Sequence, residues 1–234
     1  MPASNCAYLL YRYLLIGPTL RVIGRPRIRG HEHVPRRGPA ILAANHLAVL
    51  DSFYLTLAAR RPTAFLAKSE YFDGPGISGA LRRGFFSSVG QIPVDRSGGT
   101  AASPAIEAAV RIVHRGGVWG IHPEGTRSPD GRLYRGRTGA VRVAMETGAP
   151  LLPVAITGTR SYGSTPWWRR RVTVEILPPM DLTPFRDTGT DGVRAATDAL
   201  MHTIGTRTGQ QRVDAYAKSW TPQPDRSDEK GVAA

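Results

Sequence analysis

Short apolar runs alternate with amphipathic segments along most of this chain, and this alternation limits the folds open to it. The apolar runs have the length of strands, and the segments between them carry apolar residues three or four positions apart, as a helix with one buried face does. The clearest helix opens at Ser103 and Pro104 with a capping hydroxyl and an early proline, and it stops at Gly116-Gly117. Strands that alternate with helices predict an α/β fold, with a mixed, mostly parallel sheet flanked by helices.

The elements can be placed along the chain from these patterns. Strands are predicted at residues 27–30, 39–44, 64–67, 91–94, 118–121, 151–156 and 172–177, and helices at 51–60, 77–89, 103–115, 138–146 and 191–208. The length of 234 residues suits one substantial core. We therefore predict an N-terminal helical segment at 1–26, one domain at 27–220 and a polar, disordered tail at 221–234.

Positive charge is concentrated near the N-terminus. The chain has 31 Lys and Arg against 18 Asp and Glu, a formal charge of +13, and residues 1–40 hold +6 of it through seven Arg and one acidic residue, Glu32. Such a bias suits an anionic membrane surface, a phosphorylated substrate or nucleic acid. Nucleic acid is not the expected partner, because the aromatic residues lie near the N-terminus and in strands and no recognition motif is present.

The N-terminal segment combines apolar residues with arginines. Residues 6–16 are nearly all apolar, but they are too few to cross a bilayer, which takes about 20 residues of helix. A cluster of cations follows at Arg21, Arg25, Arg27 and Arg29. This pattern predicts an amphipathic helix at an anionic membrane surface that ends at Gly17-Pro18, with a terminal helix packed on the core as the alternative. A secretory signal is not indicated, so we expect peripheral or monotopic attachment at the cytoplasmic face of the cell membrane.

A histidine and an aspartate five positions apart, His46 and Asp51, lie where a predicted strand gives way to a helix. Residues at this spacing do not share a face of one helix, so a common site requires a bend between them. With His46 in the turn and Asp51 in the first helical turn, the carboxylate could hold one imidazole nitrogen as N–H and leave the other free to accept a proton. Such a pair has no nucleophile of its own, and a buried structural pair is the alternative reading.

Two later loops could bind an anion. One ends in Arg96 beside a glycine-rich stretch, and the other follows the strand at 118–121 and contains Glu124, Gly125, Thr126 and Arg127. Arginine can grip a phosphate with a planar fork, and the amides of Gly125 and Thr126 offer further donors. Loops that follow strands are where open α/β sheets place their ligands.

Together these loops resemble a known family. Asn45-His46 with Asp51, Gly90-x-Ile92-x-x-x-Arg96, Pro123 to Ser128 and Leu152-Pro153-Val154 match, in order, four blocks of the glycerophospholipid acyltransferase superfamily, in particular its bacterial 1-acylglycerol-3-phosphate acyltransferases. The resemblance runs from Gly30 to Ile156. It departs at Ala48, where the family often has Ser or Thr, and at His122, where it often has a large apolar residue, and both departures bear on the acceptor.

The resemblance implies a role for each residue. His46 would be the general base that removes a proton from a glycerol hydroxyl, and Asp51 would orient it. Arg96 would bind the acceptor phosphate, and Glu124, Gly125, Thr126 and Arg127 would complete that pocket. The co-substrate would be acyl-CoA or an acyl carrier protein, and the acceptor would be a lysophospholipid, with lysophosphatidate as the first choice. The alternative is another lipid acceptor, such as glycerol 3-phosphate, another lysophospholipid or a glycolipid. No metal or other cofactor is expected.

A metal-dependent hydrolase is the competing prediction. His31 and His33, with His46, Asp51 and His122, supply enough ligand types for a metal ion. The first two histidines precede an arginine-rich turn, where surface histidines are common, so this reading ranks well below acyl transfer.

Overall fold

The fold is organised on a seven-stranded sheet in a computed structural model, which describes residues 16–68, 91–94, 102–160, 166 and 171–218. The strands are β1 Arg27–Arg29, β2 Ala40–Ala44, β3 Thr63–Lys68, β4 Gln91–Val94, β5 Val118–Ile121, β6 Leu133–Tyr134, β7 Leu151–Thr157, β8 Thr173–Ile176 and β9 Arg212–Val213. The helices are α1 Ile16–Gly24, α2 Asp51–Ala59, α3 Ala102–His114, α4 Gly139–Thr147 and α5 Gly189–Thr208, with 3-10 helices at His31–His33 and Thr183–Thr188.

The sheet is almost entirely parallel. Its strands lie in the order β1-β8-β7-β2-β5-β3-β4, and every neighbouring pair is parallel except the antiparallel pair β7 and β8. Strands β7, β2, β5, β3 and β4 therefore share one direction, and their carboxyl ends lie at one edge. The predicted mixed, mostly parallel sheet flanked by helices is confirmed.

Strand β2 lies near the middle of the sheet and is buried on both faces. Ile41 and Ala43 join a core cluster with residues of α3, α4 and α5, whereas Leu42 and Ala44 join a second cluster with residues of α2. Helices thus cover both faces, which explains why this strand is apolar at every position rather than at alternate ones. The central strand that delivers His46 is consequently held from both sides.

The predicted elements agree with the observed ones to within about two residues where both can be compared. Helix α2 ends one residue early because Arg60 adopts a left-handed conformation with φ 55°. Helix α3 begins at Ala102, so Ser103 lies in its first turn rather than before it. The short ladder of β6 with β9 and the two 3-10 helices were not predicted, because such short elements carry no periodic signal. The predicted helix at 77–89 and the tail at 221–234 lie outside the described residues.

Helix α1 corrects one prediction about the N-terminal segment. The helix contains Gly17 and Pro18 instead of ending there. Proline is tolerated in the first turn because the N–H that it lacks has no acceptor within the helix at that position. Leu20 is buried and its carbonyl accepts a hydrogen bond from the Tyr54 hydroxyl at 3.2 Å, whereas Val22 is exposed. This part of the segment packs on the core along one face, and residues 1–15 lie outside the described residues. Within the described ranges, no helix has the length and apolar character needed to cross a bilayer.

Gly120 tests the packing of β5 on β3. It pairs with Phe65, and a Cβ at this position would lie 2.4 Å from Cε1 of that ring. We expect Gly120→Ala to lower the free energy of unfolding by about 1–3 kcal/mol, because the ring is forced from its place. The double variant with Phe65→Leu should lose less than the sum of the two single variants, because the shorter side chain leaves room for the methyl group. Urea denaturation measures all three, and strictly additive losses would contradict this contact.

Candidate active site

Two loops begin side by side at the carboxyl edge of the sheet. Strand β2 ends at Ala44 and its neighbour β5 ends at Ile121, which pairs with Ala43. The residues that follow, 45–51 and 122–128, therefore start from adjacent points. A hydrogen bond from the Ser128 amide to the His46 carbonyl, at 2.8 Å, joins the two loops directly.

The His46 and Asp51 side chains form a hydrogen-bonded pair across the bend. His46 Nδ1 lies 3.0 Å from Asp51 Oδ2, and the same oxygen accepts the amides of Leu47 at 2.5 Å and Ala48 at 2.7 Å. A carboxylate only accepts hydrogen bonds, so Nδ1 carries the proton and Nε2 keeps its lone pair. This arrangement is the base and its orienting carboxylate, without a nucleophile.

Asp51 is buried, yet it is held in its ionised form. Burial pushes the pKa of this carboxyl upward, but the hydrogen bond from His46, the electrostatic influence of the His122 and His46 rings and the Ala48 amide outweigh it, and the pKa lies below its ordinary value. The second oxygen, Oδ1, has no hydrogen-bond partner among the residues that the structure describes. One oxygen therefore carries the entire orienting role.

Glu124 holds the backbone of the His46 turn. It is fully buried, its Oε1 accepts the amide of His46 at 2.8 Å, and its Oε2 accepts the amide of Tyr134 at 3.1 Å. Burial raises the pKa of Glu124 to about 7, while the two amides act in the opposite direction. Because both oxygens are already engaged by backbone, this carboxylate would affect an anion pocket by shaping the loop rather than by touching the ligand.

His122 stacks on His46. The two rings are 3.9 Å apart at their centroids and nearly parallel, with an interplanar angle of 8°. Nδ1 of His122 lies 3.1 Å from the Ala44 carbonyl and 3.0 Å from the Asn45 carbonyl, and Nε2 lies 3.1 Å from the Ser52 hydroxyl. Burial, followed by the proximity of His46, lowers the pKa of His122. The ring is therefore neutral at physiological pH.

Asn45 connects the end of β2 to two distant parts of the chain. Its Nδ2 donates to the Ile156 carbonyl at 2.8 Å and to Gln210 Oε1 at 2.9 Å, while its Oδ1 accepts the Ile156 amide at 2.8 Å. Gln210 in turn donates from Nε2 to the Gly131 carbonyl at 2.7 Å. The turn that carries His46 is thus tied to β7 and to the segment after α5.

The proposed anion-binding residues are placed only in part. Gly125 is exposed and left-handed, with φ 77°, a backbone conformation that favours glycine, and a Cβ there would lie 2.8 Å from Arg137 Nε. Thr126 and Arg127 follow it and are partly buried. Arg96 lies outside the described residues, although β4, which leads to it, ends at the same edge of the sheet.

His31 and His33, which the competing prediction of a metal site uses, have partners of their own. His33 Nδ1 lies 2.9 Å from the Ile176 carbonyl, and His31 lies 3.4 Å from Glu32. Within the described ranges, no three His, Cys, Asp or Glu side chains converge as metal ligands would.

Two supporting residues, Gln210 and Tyr134, were not predicted from the sequence, and neither was the contact of Ser128, which was identified only as the end of a family motif. Gln210 stands 165 residues from Asn45, and Tyr134 and Ser128 act through backbone amides. Backbone donors leave no trace in residue type, so the sequence holds no signal for those two. Gln210 follows the end of the predicted helix at 191–208, but no sequence pattern around it indicates which part of the chain its side chain contacts.

Comparisons with known proteins give a consistent family. The acyltransferase family model matches residues 25–157. Over 177 residues the chain is 33% identical to the 1-acyl-sn-glycerol-3-phosphate acyltransferase of Limnanthes douglasii, covering 74% of this chain and 60% of that protein. Over 164 residues it is 30% identical to the protein of the same name from Salmonella typhimurium, covering 67% and 62%. The chain thus spans somewhat less than two thirds of the length of these curated relatives.

A solved structure supports the same relationship. The crystal structure of the 1-acyl-sn-glycerophosphate acyltransferase from Thermotoga maritima aligns with a TM-score of 0.58 and 26% sequence identity. The alignment covers 81% of this chain and 74% of that chain. The likeness therefore extends beyond the matched family region.

Glu124 gives a prediction for stability against pH. Its folded pKa of about 7 lies above the ordinary value of 4.5, so between these values the folded state keeps a proton that the unfolded state has lost. The contribution of this group is full below about pH 4.5 and is lost as pH rises towards 7, an effect of about 3 kcal/mol. Glu124→Gln should lack this slope, as measured by urea denaturation from pH 4.5 to 8. Parallel curves for the two proteins would contradict the prediction.

Proposed function

Since this chain belongs to the acyltransferase family, we propose that it transfers a fatty acyl group from acyl-CoA or an acyl carrier protein to the free glycerol hydroxyl of a lysophospholipid. Lysophosphatidate is the proposed acceptor and phosphatidate the product. Support comes from the names of the relatives in Limnanthes douglasii and Salmonella typhimurium and from the acceptor-phosphate residues that the family resemblance implies.

The observation that carries this proposal is the 3.0 Å hydrogen bond between His46 Nδ1 and Asp51 Oδ2. It leaves Nε2 as a base and provides no nucleophile, which suits a reaction in which the acceptor hydroxyl attacks. Nε2 takes the hydroxyl proton as the acceptor oxygen bonds to the thioester carbonyl carbon. The carbon–sulfur bond then breaks, and His46 gives the proton to the departing thiolate. The products are an ester and a free thiol.

Asp51 would act twice in this step. Its single engaged oxygen holds His46 in the Nδ1–H form, and its buried negative charge stabilises the imidazolium that forms as the hydroxyl loses its proton. The Leu47 and Ala48 amides keep that oxygen in place. The base is therefore oriented before the substrate arrives, which lowers the cost of reaching the transition state.

The acceptor phosphate would bind near the loop that starts at Glu124. Arg96 and Arg127 would contact the phosphate oxygens, and the amides of Gly125 and Thr126 would add neutral donors. Glu124 would keep this loop against the His46 turn through its two backbone contacts. A phosphate held there places the glycerol hydroxyl of the same lipid beside the base.

The enzyme would work at the cytoplasmic face of the cell membrane, attached peripherally or monotopically. Arg21, Arg25, Arg27 and Arg29 are exposed on and directly after α1, beside the exposed Val22. Cations next to an apolar side chain suit the headgroup region of an anionic bilayer. A substrate that resides in the bilayer would then be within reach of the site.

An acceptor panel tests the reaction and its specificity together. With one acyl-CoA, we expect lysophosphatidate to release thiol and gain an acyl mass faster than glycerol 3-phosphate or lysophosphatidylethanolamine does. His46→Ala should lower the rate by about 10²- to 10⁴-fold because the base is lost. His202→Ala, which removes an exposed histidine of α5, is the matched control and should leave the rate unchanged. A folded His46→Ala protein with most of its activity, or no thiol release with any acceptor, would refute the proposal.

Arg96 tests the phosphate contact separately. Arg96→Ala should raise the acceptor KM by roughly tenfold or more, the scale of a lost charge-assisted hydrogen bond, with a smaller change in the KM of acyl-CoA. Arg111→Ala is the control, since it removes an exposed arginine that pairs with Glu107 on the surface of α3 at 3.8 Å. Equal changes in the two KM values, or a change in kcat alone, would argue against phosphate binding by Arg96.

A further inference from the structure

We propose that His122 is a positioning residue for acyl transfer, whose ring fixes the plane of the His46 imidazole by parallel stacking. This inference rests on the proposed function. The observation behind it is the stack itself, with centroids 3.9 Å apart and an 8° angle between the rings. Asp51 holds one atom of the His46 ring, which still allows the plane of the ring to tilt, and a flat neighbour restricts this tilt.

The His122 ring is well suited to this role because it is itself fixed. Carbonyl oxygens only accept hydrogen bonds, so the contacts of Nδ1 to the Ala44 and Asn45 carbonyls require the proton on Nδ1. Nε2 must then be the acceptor, and the Ser52 hydroxyl its donor. All three polar contacts are satisfied by one tautomer of the neutral ring. A protonated ring would lose the acceptor that Ser52 donates to.

The anchors of His122 belong to the same elements as the catalytic pair. Ala44 and Asn45 immediately precede His46, and Ser52 immediately follows Asp51. The ring therefore moves with the turn it supports. The Phe65 ring also lies beside the His122 ring, with the two centroids 6.1 Å apart and an interplanar angle of 19°. Gly120, which has no side chain, leaves room for Phe65.

Neutrality of His122 matters for the reaction step. His46 becomes an imidazolium when it takes the hydroxyl proton, and a positive neighbour at 3.9 Å would oppose this charge. The Asp51 carboxylate is hydrogen-bonded to the His46 ring, and Glu124 accepts a hydrogen bond from the His46 backbone amide. A neutral aromatic face fixes the base without adding repulsion. His122 thus acts through His46 and touches no substrate in this proposal.

Two substitutions separate the ring from its hydrogen bonds. His122→Ala removes the stack, and we expect kcat to fall about tenfold or more with the acceptor KM within about twofold, because only the orientation of the base changes. His122→Phe keeps a flat ring in the same place and should restore kcat to within about threefold of the unaltered protein. His202→Ala serves as the control for the loss of a histidine, and thermal unfolding confirms that each variant is folded.

The kinetic outcome can overturn the proposal in three ways. Unchanged kcat in a folded His122→Ala protein would show that the stack is not needed. A raised acceptor KM with unchanged kcat would assign His122 to substrate binding instead. A folded His122→Phe protein as slow as His122→Ala would show that the plane of the ring is not what His122 supplies.

Nuclear magnetic resonance of the full chain tests the stack without turnover. In protein labelled with ¹⁵N in its histidine rings, His122 should give the pattern of a neutral Nδ1–H tautomer at pH 7. The His46 ring-proton resonances should shift in His122→Ala, because a stacked ring is removed, and shift less in His122→Phe. An Nε2–H tautomer, a charged His122 ring or unmoved His46 resonances would refute the stack. This result stands even if no acceptor is acylated, which would count against the proposed function alone.

Discussion

One oxygen of one buried carboxylate organises the active centre. Oδ2 of Asp51 accepts two amides of the bend and Nδ1 of His46 at once. The same contacts that close the turn therefore choose the tautomer of the base. Shape and chemistry cannot be varied independently here, because a change that loosens the bend also releases the imidazole.

Around this oxygen, many of the hydrogen bonds that hold the turn involve backbone groups. Glu124 accepts a hydrogen bond from the His46 amide, the Ser128 amide donates to the His46 carbonyl, and the Asn45 side chain bonds both the amide and the carbonyl of Ile156. The supports come from different strand ends, yet all reach one edge of the sheet. A parallel sheet makes this possible, since it delivers the carboxyl ends of neighbouring strands to the same place. The site is consequently a product of the topology as much as of its motif residues.

The sequence allowed the sheet and the main loops to be predicted, but not the supporting contacts. Apolar runs such as β2 are visible because burial on both faces dictates residue type at each position, and the spacing of His46 and Asp51 already required a bend. Glu124 was recognised as part of a motif, but its backbone partners were not, because an amide looks the same in every residue. The stack of His122 on His46 could not be foreseen either, since it depends on the register of β2 with β5 rather than on a local pattern.

The contact between Asn45 and Gln210 bears on how such a catalytic unit could be exchanged between proteins. The match to the family model ends at residue 157, whereas Gln210, whose side chain accepts a hydrogen bond from Asn45, comes 165 residues after Asn45. If a segment that ends at residue 157 were transferred to another protein, it would carry the histidine turn but not Gln210, which supports it. The structural unit that holds the histidine turn is therefore longer than the region that the family model matches, because it includes the segment after α5.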